Sequence, residues 1–438
     1  MTSDTGSASR HTSSGWQNWS GSLPPSKAAL VEPRDTAALQ QLIRTAEGPV
    51  RPVGSGHSWP ALVPNDHRIV ALTHFNHIGD IDRASKRAWI GAGAKLHDAS
   101  PQLAAHGLAF RNLGDIDVQT LAGSTSTGTH GTGQDLPALH AEITGLRLVT
   151  GSGDEMEISQ EHNADLLDGA RIALGSLGVL TEIEMQLVER HKLRRTAWAE
   201  KHDDLLARAM QLWANNRNFE FFYIPFSGYS FGLTHNIVDE EDTPRAPDTS
   251  DDEVMQLKAL RNWLGWWPAA RKFLLSRAIA GSQMAEDVIG ESWQLLSSQR
   301  NVLFNEMEYH LPVDSGLRAL EEIRFYIERD RRDVFFPFEA RRTKGDTGWL
   351  SPFQGGDRIS IAVHCYYKDA YEFLFSHVEP IFRKHGGRPH WGKMNSLSHA
   401  EAQELYPEFD KFNALRRQLD PHGRMLNPHL AKLFGEQK

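Results

Sequence analysis

The stretch Val50-Arg-Pro-Val-Gly-Ser-Gly-His-Ser58 constrains this chain more than any other. Val50 to Val53 reads as a short strand, and it runs directly into a turn of two glycines, two serines and a histidine. Without a Cβ, glycine lets successive backbone N–H groups converge on one point, and the strand fixes where that point lies. The turn is therefore either an anion nest suited to a phosphate or a tight corner carrying a surface histidine. It is not a Walker loop, because no lysine follows. It is not a dinucleotide fingerprint either, because the third glycine is missing.

A second stretch, Leu121 to Gly133, weighs toward the first alternative. From Gly123 onward it holds four glycines and six hydroxyl residues, a density that bonds poorly to itself and well to a pyrophosphate or the edge of a polar heterocycle. Gly91-Ala-Gly-Ala-Lys95, by contrast, reads as a plain turn.

The 438-residue chain is too long for one core, so two or three domains are expected. A net charge of -9 supplies no basic footprint and argues against a nucleic-acid partner. The lone Cys365 excludes an intramolecular disulfide. No apolar run is long enough to cross a membrane, and the first residues lack the apolar core of a signal peptide. The expectation is a cytoplasmic protein, with peripheral membrane association as a further option, and a disordered Ser/Thr-rich N-terminus over residues 1–16.

Periodicity predicts a helix from Asp35 to Arg44 with Asp35 as N-cap, a helix within Lys95 to His106, and strands over Arg68 to Leu72, Arg87 to Gly91, Ile143 to Val149 and Glu155 to Ile158. Beyond residue 192 aromatics and long amphipathic helices take over, at Asp203 to Trp213, Ser282 to Ser298 and Gly316 to Arg329. Strand-like runs lie between them at Phe219 to Pro225, Val302 to Leu311, Val334 to Arg342 and Ile359 to Tyr367. The acidic run from Asp239 to Glu253 reads as a solvated loop, and Trp263, Trp266 and Trp267 as helix-packing core.

In order, the GSGHS loop, GAGAKL, TLAGSTSTGTHGTG and ALGSLGVLTEI resemble the flavin-binding half of the vanillyl-alcohol oxidase superfamily. Phe304-Asn-Glu-Met-Glu-Tyr309, Phe336-Pro-Phe-Glu-Ala-Arg341, Ile361-Ala-Val-His364 and Gly387-Arg-Pro-His-Trp-Gly-Lys393 resemble its sugar-1,4-lactone oxidase and dehydrogenase branch. That resemblance implies an α+β, two-domain PCMH-type FAD-binding fold with a sheet-based substrate (cap) domain. Residues 17–192 would form the FAD-binding domain, 193–395 the cap, and 396–438 a tail returning to the first.

It also implies a cofactor, FAD, with His57 as the candidate for a covalent link to the ring. Arg51, Pro52, Val53, Gly54, Ser55, Gly56, His57 and Ser58 would cradle it from one side. Thr120, Gly123, Ser124, Thr125, Thr127, Gly128, His130 and Gly131 would do so from the other, with Asp115 near the ring and Ile183 on the adenine side.

For catalysis the resemblance points to Glu339, Arg341, Lys393 and His364. Glu339 and Arg341 stand two apart on an expected strand, so both leave the same face and place an acceptor for substrate hydroxyls beside a permanent cation. In the family the glutamate orients substrate and the arginine supports the reduced flavin. Lys393 is a second cation, and His364 lines the pocket. Arg342 directly after the motif offers a second arginine for the flavin-facing position.

The implied reaction is oxidation of a sugar-1,4-lactone at a carbinol, with oxygen, a quinone or a cytochrome as electron acceptor. An alditol or xylitol oxidase acting on an open polyol is the neighbouring alternative, and a non-catalytic flavin-fold binding module is the alternative of another class.

Overall fold

Residues 10–12, 15–281, 285–298 and 300–436 are described in the computed structural model of the chain. Three β assemblies organise it. Ala29–Val31, Arg68–Ala71 and Val50–Val53 form a parallel sheet in that order, with Val50–Val53 at its edge. Five antiparallel strands follow in the order Glu155–Ser159, Ile143–Thr150, Gly178–Gln186, Arg87–Gly91 and Ile78–Asp82. The third sheet has nine strands, and its central run is Asn218–Ile224, Phe338–Lys344, Arg358–Tyr366 and Phe304–Pro312.

The two faces of that central run are written in the sequence with period two. Phe219, Phe221, Tyr223, Met307, Tyr309, Leu311, Phe338, Ala340, Ile359, Ile361 and Val363 all point to one side. There they form a single buried core with the helices His202–Asn215 and Val313–Asp330. The alternate residues, Glu220, Glu306, Glu308, Glu339, Arg341 and His364, leave the opposite face. Strand register sets them side by side, with Glu220 opposite Arg341 and Glu306 opposite His364.

The C-terminal helices His399–Leu405, Phe409–Leu419 and Pro428–Leu433 pack on the first half of the chain. Phe409, Phe412 and Leu430 share a core with Leu96, Leu121 and Ile183. Asn427 donates to the carbonyls of Ala61 and Pro64 at 2.7 and 2.9 Å.

Several local expectations change. Of the N-terminus expected to be disordered, residues 1–9, 13 and 14 lie outside the described residues. Arg10–Thr12 pairs with Gly15–Gln17, and Trp16 is buried against Val53 and Ile69. The helix expected over 282–298 is instead a strand, Ala285–Glu291, followed by one helical turn, Ser292–Leu295. Residues 282–284 are outside the described set. The strand's pairing with Lys192–Trp198 at the sheet edge overrides the helical pattern, and Val288 buries against Leu193.

The run Asp239–Thr249 is loop, but Asp251 to Glu253 begin a helix, Ser250–Leu264, joined through Gly265 to a second, Pro268–Gly281. The tryptophans of this hairpin are outside the core. Trp263, Trp266 and Trp267 are 67%, 73% and 53% exposed, because Leu264, Leu275 and Ile279 take the buried positions.

Candidate active site

The glycine turn packs on the segment that opens the short helix Leu121–Ser126. A Cβ at Gly54 would lie 2.3 Å from Thr120 Oγ1, and one at Gly123 would lie 2.9 Å from the same atom. That oxygen accepts the Gly123 N–H at 3.2 Å. Two bare glycines therefore let the two loops meet. Ser55 Oγ donates to the Val118 carbonyl and holds the turn from beneath.

Between these loops runs a narrow cavity lined by residues 51–58, Thr120, Gly123 and Thr127, together with Gly175, Gly178 and Leu180. His57, Ser58, Gln119 and Thr127 also line a second cavity of about 1070 Å³, so the two voids share one wall. The His57 ring stacks on Trp19 with centroids 5.3 Å apart, and its Nδ1 is enclosed without a hydrogen-bond partner. Burial, reinforced by the nearby Lys393 charge, pushes the His57 pKa down to about 4, which leaves a neutral imidazole at physiological pH. An enclosed ring nitrogen without a partner is unfavourable by about 1–3 kcal/mol. It suits a group attached at that atom, so the cradle and the histidine fit a flavin.

Arg51 lines the narrow cavity and also braces it from behind. The residue is 1% exposed, and its guanidinium donates to the carbonyls of Leu62, Leu174, Gly175 and Met425. Burial lowers its pKa to about 9. The side chain thus ties the glycine turn to the 174–175 corner and to the C-terminal tail.

The larger cavity is walled on its other side by the polar face of the nine-stranded sheet. Arg341 donates through Nη1 to Asp115 at 3.0 Å and through Nη2 to Glu308 at 2.8 Å, and its Nε lies 3.5 Å from Glu339. Glu220 stands opposite it in register. Carboxylate oxygens of Asp115, Glu220 and Glu339 lie within 4.8 Å of one another.

Four carboxylates around one guanidinium cannot all stay ionised. Burial first, then the neighbouring acids, raise Glu339 well above the carboxylate range despite Arg341. Burial and Asp115 lift Glu220 to about 7. Burial also opposes ionisation of Glu308 and Asp115, but Arg341 outweighs it, with His130 helping at Glu308 and Arg300 at Asp115, and both are held below their usual values. Burial thus favours the protonated form of Glu339, in which its carboxyl can donate a hydrogen bond. Glu339 Oε1 and Glu308 Oε2 are both enclosed and accept no hydrogen bond from the protein.

A second group adjoins the first. Lys393 Nζ makes a short ion pair with Glu306 and sits 4.8 Å from the Trp59 ring centroid. His364 Nδ1 donates to the Pro337 carbonyl at 3.0 Å, leaving Nε2 3.6 Å from Glu306, and burial lowers its pKa. Arg342 points away, bonding Gln134 at 2.7 Å and pairing with Asp357, so strand alternation alone selects Arg341.

Glu339, Arg341, Lys393, His364, Asp115, Thr127 and His130 thus line one cavity with His57. Other expected residues stand behind the cradle. Ser124 and Thr125 turn their hydroxyls back to the Leu121 carbonyl. Gly128 packs toward Ile172 and Pro352, and Gly131 lies against Leu113. Ile183 is fully buried in the core, and Gly178 and Leu180 of the same strand line the cavity instead. Glu220, Glu306 and Glu308 belong to the site although the sequence reading assigned them no role. Their signal is a polar residue at every second position of otherwise apolar strands.

Residues 183–433 match the D-arabinono-1,4-lactone oxidase family model, and residues 27–159 match that of an FAD binding domain. An L-gulono-1,4-lactone dehydrogenase of Mycobacterium tuberculosis (strain H37Rv) is 32% identical over 427 residues, spanning 96% of this chain and 99% of that one. An L-gulonolactone oxidase of Mus musculus is 27% identical over 446 residues, at 96% and 98% coverage. Among solved structures, cholesterol oxidase from B. sterolicum superposes with a TM-score of 0.76 over 96% of each chain at 17% identity, a likeness of fold alone.

Proposed function

The chain belongs to the D-arabinono-1,4-lactone oxidase family, and on that premise we propose that it oxidises a sugar-1,4-lactone of the L-gulono or D-arabinono type at a secondary alcohol. It is an FAD-dependent oxidoreductase with a PCMH-type flavin fold. The observation that carries the reading is the shared wall: His57, Ser58, Gln119 and Thr127 line both the cradle cavity and the one faced by Glu339, Arg341 and Glu308. On this reading residues 17–192 with the 396–438 tail hold the cofactor, and 193–395 supply the substrate face. We also place the protein in the cytoplasm.

Bound FAD supplies the hydride acceptor. The rest falls to the chain's own groups. Glu308, ionised and with Oε2 facing no protein donor, suits a substrate hydroxyl as acceptor, while protonated Glu339 donates to a substrate oxygen. Arg341, pinned by Asp115 and Glu308, keeps a fixed positive charge at the centre of the face and favours negative charge that develops beside it. Lys393, tethered to Glu306, places a second cation toward His57. Neutral His57 presents its nitrogen lone pair for a covalent link to the flavin.

Four measurements test this. Anaerobic addition of L-gulono-1,4-lactone should bleach the flavin absorbance, whereas bleaching by xylitol and not by the lactone overturns the substrate assignment in favour of an alditol oxidase. A purified protein that stays colourless with added FAD would support the non-catalytic binding module. After acid denaturation the yellow colour should stay with the chain and be released in His57→Ala. Hydrogen peroxide yield, compared with quinone and cytochrome reduction, identifies the electron acceptor.

A further inference from the structure

The hairpin of Ser250–Leu264 and Pro268–Gly281 contributes its far end to none of this chemistry, yet it carries the largest exposed aromatics described. Trp263, Trp266 and Trp267 cluster at its turn, the last two with ring centroids 5.6 Å apart. Phe273 and Leu274 follow, 58% and 40% exposed. Soluble surfaces seldom gather such side chains in one place without a partner.

The exposure is not a sign of a loosely docked element. The inner face is fixed by two arginines. Arg271 is 1% exposed, donates to the Arg332 and Val334 carbonyls at 2.9 Å each, and lies over the Phe226 ring. Arg261 bonds the Asp333 carbonyl and Asp369 and lies over Phe335. With the inner face so anchored, the tryptophans are held outward.

Charge selects the partner. Between Glu253 and Glu286 the chain has five basic residues and no acidic one, in a protein of net charge -9. Three of the five, Lys258, Arg261 and Arg271, lie over the rings of Tyr366, Phe335 and Phe226. Lys272 and Arg277 are exposed beside Phe273 and Leu274. Indoles next to lysine and arginine are the composition that seats a helix in the plane of a lipid interface, rings at headgroup level and cations on phosphate. A twofold contact with a second copy would set one basic face against another, which disfavours that occupant.

We propose that the outer face of this hairpin docks the protein on an anionic lipid bilayer. The first helix reaches from the cavity rim, where Asp251 and Val254 lie, to the tryptophans at its other end. The tryptophans thus lie about 18 Å along the helix from the cavity rim.

The experiment is cosedimentation of the full-length, flavin-loaded protein with vesicles of phosphatidylcholine alone and of phosphatidylcholine mixed with phosphatidylglycerol. The protein should bind the anionic vesicles at least about tenfold more strongly. Brominated lipid should quench its tryptophan fluorescence. Trp263→Ser/Trp266→Ser/Trp267→Ser should abolish binding with turnover unchanged, and Lys272→Glu/Arg277→Glu should remove the preference for anionic vesicles. Absence of wild-type binding to either vesicle overturns the proposal, as does binding without quenching by brominated lipid. A concentration-dependent dimer lost in the tryptophan variant, without vesicle binding, assigns the face to a second copy instead. The quenching measurement on wild type decides the matter even where the triple variant does not fold.

Discussion

At the residue scale the site is a problem of charge crowding. Arg341 satisfies Asp115 and Glu308, and the remaining two acids respond by holding protons. Glu220 is the one poised near neutrality, since burial and Asp115 bring it to about 7. Below that pH it is neutral. Above it a further negative charge appears beside Glu339 and Asp115, which disfavours any additional negative charge on the same face. We expect kcat/KM for the lactone to inflect near pH 7, and Glu220→Gln to flatten that inflection while leaving flavin content unchanged. An unaltered profile in the variant would assign the inflection to another group. The sequence shows Glu339 and Arg341 as a pair because both sit on one strand. Glu220 and Glu308 come from strands more than 80 residues apart in sequence and meet Arg341 only through sheet register.

At the element scale the cofactor cradle depends on two loops approaching more closely than side chains permit. Gly54→Ala would drive a Cβ into Thr120 Oγ1, the atom that caps the Leu121–Ser126 turn. Either the cap breaks or the loops separate. We expect the variant to purify with flavin occupancy reduced several-fold, read from the ratio of flavin to protein absorbance, with far-ultraviolet circular dichroism unchanged. Full occupancy would show that the loops part without consequence. This element was legible in sequence, because a strand ending in Gly-Ser-Gly-His is local information. The strand at Ala285–Glu291 was not. Its residues carry a helical pattern, and only the unpaired edge of Lys192–Lys201 draws them into a sheet.

At the scale of the whole molecule, burial of histidines couples folding to pH. His235 is 3% exposed with its Nε2 donating to the Leu295 carbonyl, and burial, with Arg195, takes its pKa from 6.5 to about 3. His310 and His390 move the same way, with burial again the leading cause. Since the folded pKa lies below the unfolded one, the unfolded chain alone takes up protons as pH drops through 6.5. Stability is therefore intact above that value and declines by about 1.4 kcal/mol per pH unit for each such histidine down to its folded pKa. The melting temperature should fall from pH 7 to pH 5, less steeply in His235→Asn, and a flat profile in wild type would contradict the burial argument. What the sequence by itself determined is whatever depends on neighbours along the chain: the glycine turn, the period-two faces of the central strands, and the pairing of Glu339 with Arg341 on one side. Tertiary structure alone decided which carboxylates keep their charge, that Arg51 ties carbonyls together, that Ile183 lies in the core, and that three tryptophans face outward. Charge state and exposure are set by everything packed around a group, and that surrounding is assembled from distant parts of the chain.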